Sequence, residues 1–339
     1  MMEKKKKELL GTISDESFIT IFMAGVLLLL FAIACVVVPN FASKSNVLAL
    51  LTNNWYLVVL GIGATFIVKT GNMDMSLGGI VAMAGVLVAF FCQGTNATRA
   101  LDIGLGLSFF PAALLAIACC MVIGLINAFF IAKMKVASLI ITLGTGFLAR
   151  GIAQIIARGA QRSTNLDDSF GLVGKMYVKL GDTSIKLSVI IMLVILVIFY
   201  IIEKKTVFGR TTYYVGANAE AAKLSGIKAD RHLGTLFVIN SILAAIVGIV
   251  LASEYLAGYS TRGKGFEFDA LCVTLLGGTS ASGGFGSVLG AFIGAMIFSI
   301  VTNAAGGMLL SPDWTYILKG VVTFLAIVAQ RYALDKRKS

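Results

Sequence analysis

Few residues in this chain are able to do chemistry, and their spacing is wrong for catalysis. Gly258-Tyr-Ser-Thr-Arg-Gly263-Lys264 has the GxxxxGK spacing of a phosphate-cradling loop, but Gly265 stands where a Ser or Thr hydroxyl would hold magnesium. His232 is the single histidine, and no grouping of His, Cys and carboxylates has metal-ligand spacing. Cys35, Cys92, Cys119, Cys120 and Cys272 all lie in apolar runs without a CxxC pair, which suits small-residue packing. No catalytic residue, metal site or cofactor is therefore expected.

The elements that must position the remaining polar side chains follow from composition. Of 339 residues, 58% are hydrophobic and 13% charged, far more apolar surface than a soluble domain of this length could bury. Apolar runs recur that are long enough to cross a hydrocarbon core of about 30 Å at about 1.5 Å per residue. In lipid each run must satisfy its own backbone, so the runs are helices, and the alternating pattern of barrel strands is not seen. An all-α, polytopic membrane protein of about ten spans is predicted. The spans lie near residues 18–38, 47–68, 74–92, 107–132, 138–157, 187–202, 233–255, 267–279, 286–306 and 314–331. The first is too long for a signal-peptide core and lacks a cleavage site, so it is read as an uncleaved span. The eighth is too short to cross alone and ends in Gly277-Gly278 and Gly283-Gly284, which suits a broken or re-entrant helix. One membrane domain over 18–331, with tails 1–17 and 332–339 and a polar loop over 203–232, is the expected organisation.

Lysine and arginine orient these spans. Lys4 to Lys7 and Lys336-Arg337-Lys338 flank the two ends, and the positive-inside preference places both termini in the cytoplasm. The same scheme makes cytoplasmic the links holding Lys69, Lys133 and Lys135 and the loop from Glu203 to His232. The stretch from Arg158 to Lys186 falls outside although it carries five basic residues, because long loops are translocated with less regard to charge. The net charge of +11 is thus an orientation signal, and no basic-aromatic module supports a nucleic-acid partner. The GxxxxGK match also falls on the outer side, away from cytoplasmic nucleotide.

A polar segment stands apart between the sixth and seventh spans. Asn218 is a good N-cap, Glu220 lies in the first turn, Lys223 toward the last, and Gly226 can end the helix left-handed. About eight residues is less than the roughly 12–15 an isolated helix needs in water, so something must pack against it. Its own bundle or the membrane surface is one possibility, and another protein is the other.

The surrounding residues resemble a known family. Phe208-Gly-Arg-Thr-Thr-Tyr-Tyr-Val-Gly-Ala-Asn-Ala-Glu-Ala-Ala-Lys-Leu-Ser-Gly-Ile227 is similar to the cytoplasmic coupling segment of permeases in the ribose, xylose and galactose class of ABC importers. Thr70-Gly-Asn-Met-Asp-Met-Ser-Leu-Gly78 resembles that family's Thr-Gly-Gly-Ile-Asp-Leu-Ser-Val-Gly, departing at Asn72, Met73 and Met75 while keeping Asp74 and Ser76. Ile140-Ile-Thr-Leu-Gly144 with Arg150-Gly151, and Phe268-Asp-Ala270 leading through Gly277-Gly278 to Ser282-Gly-Gly284, complete the set in family order.

The resemblance implies a multi-pass subunit of the bacterial cytoplasmic membrane that forms a monosaccharide pathway by alternating access. It implies a cytoplasmic ABC ATPase, a periplasmic or lipid-anchored sugar-binding protein, and a second permease subunit, identical or related. It also implies that the coupling helix sits in a cleft of the ATPase, with contacts expected from Gly216, Asn218, Ala219, Glu220, Ala221, Ala222, Lys223, Leu224 and Gly226. The alanines would allow close approach, and Glu220 and Lys223 rim contacts. A nucleoside or signalling-sugar permease of the same superfamily is an alternative. An ion-coupled secondary transporter is another, although the paired mid-membrane carboxylates it would favour are not seen.

For a sugar pathway the candidates are Asn53, Asn54, Trp55, Asn127 and Asn240. Neutral amides serve hydroxyls and an aromatic face serves C–H surfaces, whereas a fixed charge would hold a sugar too tightly. The competing role is interhelical hydrogen bonding, worth about 0.6 kcal/mol each. Replacing Asn127 or Asn240 by Leu is expected to alter transport more than assembly. Asp74 and Asp269 are read as anions at helix starts, part of a weak internal repeat. Glu254 and Lys319 fall near the outer face, where they can reach water or pair. Gly286, Gly290 and Gly294, spaced as GxxxG on the ninth span, predict a close helix crossing within or between subunits.

Overall fold

Apolar runs that cannot leave a backbone group unpaired in lipid coil into helices, and the computed structural model shows thirteen of them among the residues it describes, 15–94, 104–158, 161–163, 166–181 and 183–338. The Lys4–Lys7 cluster and the side chains of Lys336-Arg337-Lys338 lie outside that description. The helices are α1 (Asp15–Val37), α2 (Lys44–Val68), α3 (Leu77–Cys92), α4 (Phe109–Ala128, continued by a π turn over Phe129–Lys133), α5 (Ser138–Ile156), α6 (Leu172–Lys175), α7 (Leu187–Lys205), α8 (Val207–Ala217), α9 (Ala219–Leu224), α10 (Ala229–Tyr255), α11 (Phe266–Leu276), α12 (Val288–Gly307) and α13 (Pro312–Lys338). Seven are long and apolar enough to cross a membrane, namely α1, α2, α4, α5, α7, α10 and α12. At the other expected spans, α3 has 16 residues, α11 has 11, and α13 runs on to Lys338 without a break at the expected tail.

Two departures from an all-α reading lie in the connections. β1 (Gln161–Arg162) pairs antiparallel with β4 (Gly258–Tyr259), and β2 (Tyr177–Leu180) forms a hairpin with β3 (Thr183–Lys186). β1, β2 and β3 lie in the long connection after α5 and β4 in the link after α10, where pairing satisfies backbone groups that lie outside the helices. The expected loop over 203–232 is likewise mostly helix, since α7 runs to Lys205, α8 and α9 follow, and α10 starts at Ala229.

α10 packs against α2, α3 and α4, and is largely buried along with α2, α3 and α12. α1, α4, α5 and α7 expose long apolar side chains such as Leu28, Leu114, Ile155 and Val197, as a lipid-facing ring does. The short connections sort into two ends. Lys69, Glu203, Gly216 and Gly284 meet at one, hereafter the α9 end. Gln93, Arg162, Leu166 and Gly258 meet at the other.

The third span begins later than expected. Residues 72–76 belong to no helix, and α5 supplies acceptors that a helix would have supplied: Met73 N–H donates to Ser138 Oγ (3.1 Å) and Met75 N–H to Thr142 Oγ1 (3.0 Å).

The glycine crossing is internal to the chain. A Cβ on Gly290 would lie 2.1 Å from the Gly277 carbonyl oxygen, and one on Gly294 would lie 2.1 Å from that of Val273, so α12 meets α11 backbone to backbone. Gly286 does not share that face. It precedes α12, has φ +154° and lies against Thr279. Gly294→Leu should drive the two helices apart and cost about 1–3 kcal/mol or more; the loss reads as a lowered melting midpoint in detergent, and an unchanged midpoint would contradict the packing.

Candidate functional site

At the α9 end the local sequence builds a small helix capped at both ends. Asn218 Oδ1 accepts from the Ala221 N–H (3.0 Å), and Gly226 turns at φ +82° while its N–H donates to the Lys223 carbonyl (2.9 Å) and that of Ile227 to the Ala222 carbonyl (3.0 Å). The helix has six residues, shorter than the eight expected. Lys223 Nζ lies 3.4 Å from Glu220 and 3.5 Å from Asp230, and Asp230 also pairs with Lys135. Asp230 first, and Glu220 second, hold the Lys223 ammonium above its ordinary range. Ala222 faces inward, packed with Val215, Ala229 and Ile227, so a partner cannot approach it directly. Ala219, Glu220, Ala221 and Leu224 face away, with Leu224 91% exposed.

The corner that carries this helix sits on the ends of three long helices. A Cβ on Gly216 would lie 1.8 Å from the Lys69 carbonyl oxygen, a contact only glycine permits, and that carbonyl also accepts from the Gly284 N–H (2.9 Å). Lys69 Nζ meets Glu203 Oε1 at 2.7 Å with both side chains buried, and Glu203 Oε2 accepts from the Val288 N–H (3.0 Å) that opens α12. The ends of α2, α7 and α12 thus form one cluster under the α8–α9 corner. His232, expected in an open loop, is buried on α10, with Nε2 2.8 Å from Thr212 Oγ1 and its ring 4.4 Å from that of Phe208.

Deeper in the bundle, the non-helical 72–76 segment carries a buried polar network in which Asn240 Oδ1 is left without a hydrogen-bond partner. Asp74 Oδ1 accepts from the Ser76 N–H (2.9 Å) and Oγ–H (2.5 Å), and Oδ2 accepts from Asn240 Nδ2 (2.8 Å). Asn127 Nδ2 donates to Ser76 Oγ (3.2 Å), and Thr145 Oγ1 donates to Asn127 Oδ1 (2.7 Å). Asp74 therefore does not cap α3. Ser76 is its N-cap, without a side-chain cap bond, and Asp74 tethers the non-helical segment to α10.

Residues 46–327 match the family described as branched-chain amino acid transport system / permease component. The chain belongs to this permease family. It is similar to the galactose/methyl galactoside import permease protein MglC of Escherichia coli (28% identity over 97% of this chain and 100% of the relative). It is also similar to the ribose import permease protein RbsC of Bacillus subtilis (32%, covering 92% and 91%) and to the L-arabinose transport system permease protein AraH of Escherichia coli (32%, covering 94% and 92%). No solved structure matches.

The permease does not gather its five candidate pathway residues in one place. Asn127 and Asn240 are buried in the Asp74 network, Asn53 and Asn54 line a cavity at the opposite end, and Trp55 is in the core at 1% exposure. The two aspartates also differ. Asp269 lies in the first turn of α11 and pairs with Lys319 (3.1 Å), far in kind from the neutral donors around Asp74. Glu254 accepts from Ser188 Oγ (2.7 Å). Sequence reasoning missed the Lys69–Glu203 pair, whose partners stand 134 positions apart, and no periodicity announces such a pairing.

Proposed function

We propose that the chain is the membrane-spanning subunit of an ABC importer, forming the path of a monosaccharide across the bacterial inner membrane. The names of its relatives, import permeases for galactose, ribose and arabinose, support the substrate class. One observation carries the coupling role: α9 is a doubly capped helix that presents an almost fully exposed Leu224 at a polar end, while Gly216 seats its base on the end of α2. A short helix so anchored transmits displacement where a loose loop would absorb it.

In this reading the α9 end and both termini are cytoplasmic, and a partner ATPase grips Ala219, Ala221 and Leu224 with Glu220 at the rim. Nucleotide-driven closure pushes α8 and α9, and the push reaches α2, α7 and α12 through Gly216, Lys69 and Glu203. A sugar-binding protein delivers at the opposite end, and a second permease subunit completes the pathway.

The test uses the reconstituted importer. Leu224→Asp should weaken ATPase docking about tenfold or more, as loss of an apolar anchor does, and abolish ATP-dependent uptake while the subunit still inserts. Ala221→Trp should uncouple hydrolysis from uptake. Full transport in both variants, or uptake driven by an ion gradient without ATP, would sink the proposal.

A further inference from the structure

At the end opposite α9 an open cavity of about 750 Å³ lies between the end of α1, the first half of α2 and the last turns of α12. Five asparagines line it, Asn40, Asn46, Asn53, Asn54 and Asn303, together with Tyr56, and no lining residue is charged. The amides are largely uncommitted. Asn46 Nδ2 donates to the Phe41 carbonyl (2.8 Å) and Asn54 Nδ2 to Ser299 Oγ (2.8 Å), while their Oδ1 atoms and the whole amides of Asn40, Asn53 and Asn303 make no hydrogen bond with the described chain. Each amide offers two donors and an acceptor with two lone pairs, which matches neighbouring hydroxyls that both donate and accept. An anion or a cation would find no counter-charge here, and an apolar ligand would leave the amides unpaired.

The backbone is shaped around this space. Asn54 breaks α2 (φ −126°, ψ 15°), and Ser299 Oγ donates to the Leu50 carbonyl (2.6 Å) in the turn that ends at the break. Asn40 is held at φ 58°, a left-handed conformation asparagine tolerates. The ring of Tyr56 is stacked on Phe266 (4.5 Å), which fixes the aromatic side of the cavity. The geometry points to a binding site for a neutral, polyhydroxylated molecule within this single subunit. The site deepens the importer reading and rests on it only for the side from which the ligand arrives.

The experiment places Asn53→Cys in the full importer in proteoliposomes and measures labelling by a membrane-impermeant maleimide, with the native chain as background. D-galactose, D-ribose, L-arabinose and glucose 6-phosphate are the probes. At least one neutral sugar should slow labelling by about threefold, the occupancy reached when free sugar is about twice its dissociation constant, and glucose 6-phosphate should not. Adding Asn303→Leu should remove the protection. Asn40→Gly, which deletes a side chain without straining the left-handed position, serves the same purpose if the first double variant does not insert. Labelling untouched by every sugar, or protection that survives loss of the lining amides, overturns the site. Parallel ATP-dependent uptake separates the two ideas: uptake without protection sinks the cavity and spares the importer, and protection without uptake does the reverse.

Discussion

Glu203→Leu is expected to lower stability by roughly 3–5 kcal/mol, because it leaves the Lys69 ammonium buried without its partner and the Val288 N–H without its acceptor. Lys69→Met alone should cost a similar amount by stranding the Glu203 carboxylate. The double variant should recover much of the loss, since removing both charges of a buried pair avoids the desolvated, unpaired ion. Melting midpoints of the purified subunit in detergent, assembled into a double-mutant cycle, measure this. Single variants as stable as the native chain, or a double variant whose loss is the sum of the two, would show that the cluster does not hold the α9 end together. Where the double variant folds but uptake per ATP falls, the pair also carries the push from α9.

Asn240→Leu should damage assembly more than transport, which reverses the expectation from sequence. The substitution removes the donor to Asp74 Oδ2, and a buried acceptor left unpaired costs about 1–3 kcal/mol, more when charged. The non-helical segment over 72–76 then loses its tie to α10, and the yield of inserted, monodisperse protein should drop. Asn127→Leu should be milder, because Ser76 Oγ keeps its bond to Asp74 when the Asn127 donor is gone. A folded Asn240→Leu subunit with native stability and impaired uptake would restore the residue to the sugar pathway.

Asn240 marks the limit of what a sequence pattern encodes. An asparagine in an apolar span is visible at once as unusual. Its partner is not, since Asp74 stands 166 positions away and no local pattern links them. The same holds for the glycines. Their spacing announced a close crossing, but only the contact of Gly290 with Gly277 and of Gly294 with Val273 shows that the crossing lies inside one chain, with Gly286 outside it. Trp55 and Asn53 are two residues apart on α2, about 200° around the helix axis, so one is core and the other lines a cavity, and only the packing shows which is which.

The chain's own order of residues determined whatever depends on neighbours in sequence. Apolar run length set the seven helices long enough to cross a membrane but not the lengths of α3, α11 and α13, lysine placement grouped the connections of Lys69 and Lys135 with the 203–232 stretch, and Asn218 with Gly226 set both limits of α9. Tertiary structure alone decided the buried Lys69–Glu203 pair, the Asp74 network and the asparagine-lined cavity. Each of these joins segments from distant parts of the chain, and a long-range contact is an outcome of packing in three dimensions that no local periodicity encodes.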